Sequence, residues 1–314
     1  MGARFWAAVL LALTAPVAAR AASYNVNLPC APVHHLIARN GKVMLVACVN
    51  RKTGFKIDFL DLPSGHVLRS IAPGDNIDGV ALSNDGRRLA IGWSSGRISV
   101  FSTRDKNVDT FKAAPDPEAL NFLGDDRLIV ASTLWDVSGK RPLHAFKTDF
   151  GPVNVVARSA DGTQLATGGG DTVVRLYNAH SWKLTHRFTG LSYEPFALAF
   201  VKGGKELAVT GGDDRIVLLD TATGRAVKTL PKSGPAGAFI GDLQTAGKKG
   251  WSAVTYVDPR SNKPVGWRFT NLNTGTSEPA CEGADALGVS ESAVWCFKIK
   301  GKTLVANAAA PPNK

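Results

Sequence analysis

The chain has 314 residues, 44% of them hydrophobic and 20% charged, with a formal net charge of +11. That balance is ordinary for a globular protein with ample core material and excludes disordered and collagen-like chains. Beyond the N-terminus no apolar run reaches the length of a membrane helix, and the basic residues are scattered, in runs no longer than Arg87-Arg88 or Lys248-Lys249, which argues against a nucleic-acid partner.

The N-terminus reads as a secretory signal. Arg4 supplies the positive charge, residues 5–13 are apolar, and Ala19-Arg20-Ala21 has the small-x-small pattern of a cleavage site. The expected signal peptide is residues 1–21, with cleavage after Ala19 as the alternative, and residues 22–314 form one domain. Loss of Arg4 and Arg20 takes the net charge of +11 down by two. The surplus is read as a solubility feature. Export predicts a periplasmic or secreted protein with no membrane span after cleavage. Four cysteines in an oxidising compartment suggest two disulfides.

From residue 24 onward the predicted elements are short strands. Residues 24–28 form one that belongs to no complete unit. The clearest unit begins at Gly151, with strands over 153–159, 164–169, 173–178 and 183–188 separated by Ala160-Asp161-Gly162, Gly170-Asp171 and Ala179-His180 turns. Each run is rich in branched or aromatic residues and bounded by turn formers. A second signal recurs down the chain at about 42 residues, a period seen in propeller repeats. An Asp or Asn ends an apolar run, and a Ser or Thr and usually a Gly follow: Asp61 to Gly65, Asp136 to Gly139, Asn178 to Ser181, Asp220 to Gly224 and Asn271 to Gly275. The Asx side chain can bond its own downstream backbone, and Gly can take the left-handed position. Strand pairs at this period predict an all-β fold, a β-propeller of four-stranded antiparallel blades.

First-hairpin turns fall at Gly41, Gly86, Asp126, Gly162 and Gly204 and near Gly247 and Glu291, which predicts seven blades. Six or eight blades are the alternatives if the irregular third or sixth unit is misread. The last unit has strands near 284–289, 293–299 and 302–307 and lacks an outer strand. The spare segment 24–28 fills it and closes the ring. Cys30 and Cys281 then occupy equivalent places just before a blade's first strand, and Cys48 and Cys296 both lie in second strands. The repeat predicts Cys30–Cys48 and Cys281–Cys296.

The segment Gly168-Gly169-Gly170-Asp171-Thr172-Val173-Val174-Arg175-Leu176-Tyr177-Asn178 resembles the third-strand signature of WD40 repeats, with Tyr177-Asn178 where Trp-Asp usually stands. Gly211 to Asp220 repeats it, and Ser83-Asn84-Asp85-Gly86 and Ser159-Ala160-Asp161-Gly162 match the family's first hairpin. The likeness is best over blades two, four and five. The family's Gly-His dipeptide is missing, so its His–Ser/Thr–Asp–Trp network is not expected in its usual form. The resemblance implies that loops joining blades, and loops from second to third strand, line one face around a central channel. On that face it places Trp93, Glu118, Asn154, Asp171, Tyr193, Glu194 and Asp213. Trp93 reads equally as a packing residue between blades.

Chemistry is harder to find. Gly92-Trp93-Ser94-Ser95-Gly96 matches the G-x-S-x-G nucleophile pattern, but a strand follows where that mechanism needs a helix. Adjacent His34 and His35 point to opposite faces of a strand. Asp125-Asp126 and Asp213-Asp214 lack the alternating donors of a calcium loop. No metal or cofactor is expected. The resemblance implies an exported, bacterial-type WD40-like propeller that binds a protein or peptide on its top face, as a non-catalytic scaffold or accessory subunit of the cell envelope. The alternative is a small-molecule enzyme of the propeller lactonase type, with Glu118, Asn154 and Glu194 at the channel mouth.

Overall fold

The computed structural model describes residues 23–309 apart from 31–33, 39–40, 51–53, 63, 73–75, 84, 104, 114–116, 118, 125, 213, 246–250, 262 and 290–293. The signal-peptide segment lies outside the described residues. Seven antiparallel sheets of four strands each follow one another along the chain, so the ring has seven blades. In six of them the strand order is simply the chain order. Blade four is typical, with Val153–Arg158, Gln164–Gly169, Val174–Asn178 and Leu184–Phe188 from the channel outward.

The hydrophobic pattern explains why the blades stack. In the second strand of blade four, Leu165 belongs to a buried cluster with Ile129, Leu134 and Phe146 of blade three. Its neighbour Ala166 belongs to another, with Leu198, Leu207 and Val209 of blade five. Successive side chains on a strand point to opposite faces, so a continuous apolar run feeds both seams. The same alternation sends Leu89 toward blade one and Ala90 toward blade three. It also sends Leu207 toward blade four and Ala208 toward blade six.

The turns repeat their chemistry as well. In the first hairpin of blade two, Ser83 Oγ donates to Asp85 Oδ1 at 2.7 Å and accepts from the Arg88 N–H at 2.9 Å. Blade four does the same with Ser159, Asp161 and Gln164. In the turn between the third and fourth strands of blade five, Asp220 Oδ1 accepts from the backbone of Ala222 and Thr223 and from the Thr223 hydroxyl. Asn178 and Asn271 cap their own turns likewise. Blades three and four differ from expectation at one point. The left-handed residue there is not a glycine but Lys140, at φ 52°, and Trp182, at φ 58°.

The seventh blade closes the ring. Its strands Ala286–Val289, Val294–Lys300 and Thr303–Ala309 are completed by Ser23–Asn27, with Ser23 opposite Asn307 and Asn27 opposite Thr303. Val26 and Leu28 enter the seam shared with Met44, Leu60 and Phe297. Disulfides join Cys30 to Cys48 and Cys281 to Cys296, one on each side of the closure. Among the described residues no helix is long and apolar enough to cross a membrane.

The Cys30–Cys48 bridge spans 18 residues, a loop for which chain-entropy arguments give about 3 kcal/mol. C30A/C48A is therefore expected to lower the unfolding free energy by about 2–4 kcal/mol. Denaturant titration without reductant checks this.

Candidate functional site

Each blade's first strand runs along the channel, so the loops that join blades and the loops from second to third strand emerge on one face. Of the residues singled out above, that face carries Trp93, Asn154, Asp171, Tyr193 and Glu194, and the structure sorts them into two groups.

Trp93 and Asp171 serve the scaffold. Trp93 ends the second strand of blade two and is 3% exposed. Its Nε1–H donates to Ser99 Oγ at 2.9 Å, and it packs in the seam with Leu45, Ile57 and Phe59 of blade one. The expectation of a surface contact is corrected here: the indole is not available to a partner. The surrounding G-x-S-x-G segment forms a hairpin, with Gly96 at φ 76° and Ser94 Oγ donating to Asp78 Oδ1. No nucleophile elbow exists in that hairpin.

The Asp171 carboxylate is likewise buried. It pairs with Arg175 at 2.6 Å and accepts from the backbone N–H of Asp149 at 2.8 Å and of Val173 at 3.1 Å. Arg175 also reaches Asp149 Oδ2 at 3.0 Å, and Arg187 pairs with the same carboxylate. Asp149 lies in the loop from blade three to blade four, so this ionic network ties that loop to the third and fourth strands of blade four. Burial works to raise the pKa of Asp171, but the Arg175 hydrogen bond and charge and the two backbone donors outweigh it and hold the carboxyl below its ordinary 3.8.

The second group is contiguous, with Asn154 and Tyr193 exposed and Glu194 half-buried. Asn154, in the first strand of blade four, donates from Nδ2 to Glu194 Oε2 at 3.3 Å. Its carbonyl accepts from Asn121 Nδ2 of blade three at 3.2 Å. Glu194 and Tyr193 lie in the loop entering blade five. Tyr193 is 53% exposed and lies across Gly212. A Cβ on Gly212 would fall 3.0 Å from Tyr193 Cβ and Cγ, so only glycine lets the ring lie that low. Phe150, in the loop entering blade four, is 75% exposed, more than any other large apolar side chain among the described residues. Sequence reasoning missed it. The available signal was an aromatic residue between Asp149 and Gly151-Pro152, outside any strand pattern. Glu118 and Asp213 lie outside the described residues.

Below this face runs a channel of about 490 Å3, lined by the first strands of six blades. Its wall mixes the apolar side chains Val80, Leu82, Phe122, Val156 and Phe200 with the polar Asn121 and Arg158. Blade six adds Asp242 and Gln244, whose Nε2 donates to Asp242 Oδ2 at 2.7 Å. Among the described residues no three His, Cys, Asp or Glu side chains converge as metal ligands.

Residues 140–178 match the family model "WD domain, G-beta repeat". That stretch runs from the third turn of blade three through the third strand of blade four and includes Asp171. One repeat, centred on blade four, thus matches the WD40 model, and the ring as a whole is a seven-bladed β-propeller. The ring is also similar in fold to a solved chain from "Crystal Structure of Mitotic Checkpoint Complex". The two are 19% identical, with a TM-score of 0.68 over 99% of this chain and 100% of that one. At that identity the likeness is one of fold. No curated protein matches the chain. Where WD40 repeats usually carry a His–Ser/Thr–Asp–Trp network, blade four of this chain keeps the Asp and completes it with Arg175, Asp149 and Arg187.

Removing one partner of a buried ion pair strands the other charge, at about 3–5 kcal/mol. R175M should therefore destabilise the ring by that order. Asp171 has a lowered folded pKa, so its contribution is full above 3.8 and is lost as pH falls through the folded value. D171N should accordingly flatten the loss of stability with acidification below 3.8. Denaturant midpoints across pH 2–6, about two units either side of that range, check both.

Proposed function

We propose that this protein is an exported, non-catalytic scaffold of the cell envelope that docks a protein partner on the face formed by its inter-blade loops. The observation that carries the reading is the pair of exposed aromatics, Phe150 and Tyr193, set above blades four and five beside Asn154 and Glu194. Exposed aromatic rings on rigid supports are the side chains that most often dominate binding interfaces. Here the support is stiff. The Phe150 loop is held by Asp149, which pairs with the buried Arg175 and donates its N–H to the buried Asp171, and Tyr193 lies against the backbone of Gly212. The polar side chains around the rings supply the rim that such interfaces usually have.

Two further features support the reading. The signal-like residues 1–21 and the two disulfides suit an oxidising compartment outside the cytoplasm. The solved chain of like fold is, by its title, part of a complex.

The test is affinity capture of tagged residues 22–314 from cell-envelope extract, beside the F150A/Y193A double variant. A stoichiometric protein should elute with the parent chain and be lost, at least tenfold, with the variant, a loss of about 1.4 kcal/mol or more. The variant should keep the parent's melting temperature, because both rings are surface groups. Equal capture by both chains would reject this face as the docking surface.

A further inference from the structure

Resting on the docking reading above, the surface over Gly170 carries a more specific statement about the partner. Gly170 has no side chain, and the place where one would begin lies 3.8 Å from Glu194 Oε2 and 3.8 Å from Phe150 Cδ1. The carboxylate and the ring thus flank a notch whose floor is bare backbone. We propose that this notch receives a single basic side chain, lysine or arginine, from the docked protein.

Charge bookkeeping around the notch supports a cation. Asp149 and Asp171 are already matched by Arg175 and Arg187. Glu194 has no ion pair among the described residues. Its polar contact is the neutral amide of Asn154, 3.3 Å away, which orients the carboxylate without offsetting its charge. A docking protein that covered this site with apolar atoms would strip water from Glu194 and return nothing for it. A lysine or arginine instead gains a charge-assisted hydrogen bond to the carboxylate and the attraction of the neighbouring ring. Tyr193, next to Glu194 in the chain, adds apolar surface for the methylene stem of such a residue.

The overall charge narrows the partner further. A chain whose formal charge of +11 falls only by two on loss of Arg4 and Arg20 still repels strongly basic proteins at long range. The fitting partner is therefore neutral or acidic overall and presents one basic residue at short range. Its recognition is local, so salt should weaken it only modestly.

The experiment selects a library of displayed linear peptides on the purified chain, with counter-selection on F150A. Enriched peptides should share one Lys or Arg. Replacing it by norleucine should weaken binding about tenfold, and E194Q should weaken the unmodified peptides about fivefold while leaving norleucine versions unaffected. E194Q keeps the acceptor for Asn154 and changes only the charge, and its melting curve should match the parent's. Peptides that depend on Phe150, lack a shared basic residue and ignore E194Q would overturn the cation while leaving the docking face intact. Failure to enrich any peptide that depends on Phe150 would overturn the docking face and the cation together.

Discussion

The structure depends on burying each blade's middle strands on both faces. A free β-sheet of this composition would expose two apolar faces. Here odd and even residues of the same strand enter different seams, as Leu165 and Ala166 do on either side of blade four. No blade can then bury its own hydrophobic side chains, and every seam needs two neighbours. Such a stack is satisfied only when the last blade meets the first. Closure by Ser23–Asn27 follows from that requirement, and so does the placing of a covalent link on each side of the join.

The scaffold and the binding face are made of the same residue types used differently. Trp93 and Tyr193 are both large aromatics at the top of their blades, yet one is at 3% exposure and the other at 53%. The difference is where the backbone sends them. Trp93 sits within a second strand, whose faces are both covered. Tyr193 sits on a connecting loop, held up by the backbone of Gly212. The acids divide in the same way. Asp171 is committed to Arg175, whereas Glu194 is held only by a neutral amide.

The architecture was open to reading from sequence because it is written in local chemistry that repeats. Ser83 with Asp85 and Ser159 with Asp161 are short-range hydrogen-bonded turns, and their spacing gave the blade count. The cysteine pairing was legible because equivalent positions in a repeat are equivalent in space. The site was less legible because it is assembled from different blades. Phe150, Gly170 and Glu194 are distant in sequence and meet only through the ring. Trp93 could not be placed because strand alternation puts a residue on a face without saying whether a neighbour covers it. Asp171 matched a family position and its ion partner Arg175 lies in the motif, but Asp149 and the Arg187 that pairs with it flank the motif rather than lie in it.

The origin of the closing strand sets an order of events in time. Ser23–Asn27 is synthesised before every other strand of the ring, and its partner Thr303–Ala309 after every other. Their pairing has the largest sequence separation of any strand pair in the ring, and such contacts form slowly. Until Thr303–Ala309 has left the ribosome, the early strand has no edge to join, and the first and last seams stay open to water. Translation can stack the blades one after another, but the ring can shut only after its last strand has emerged.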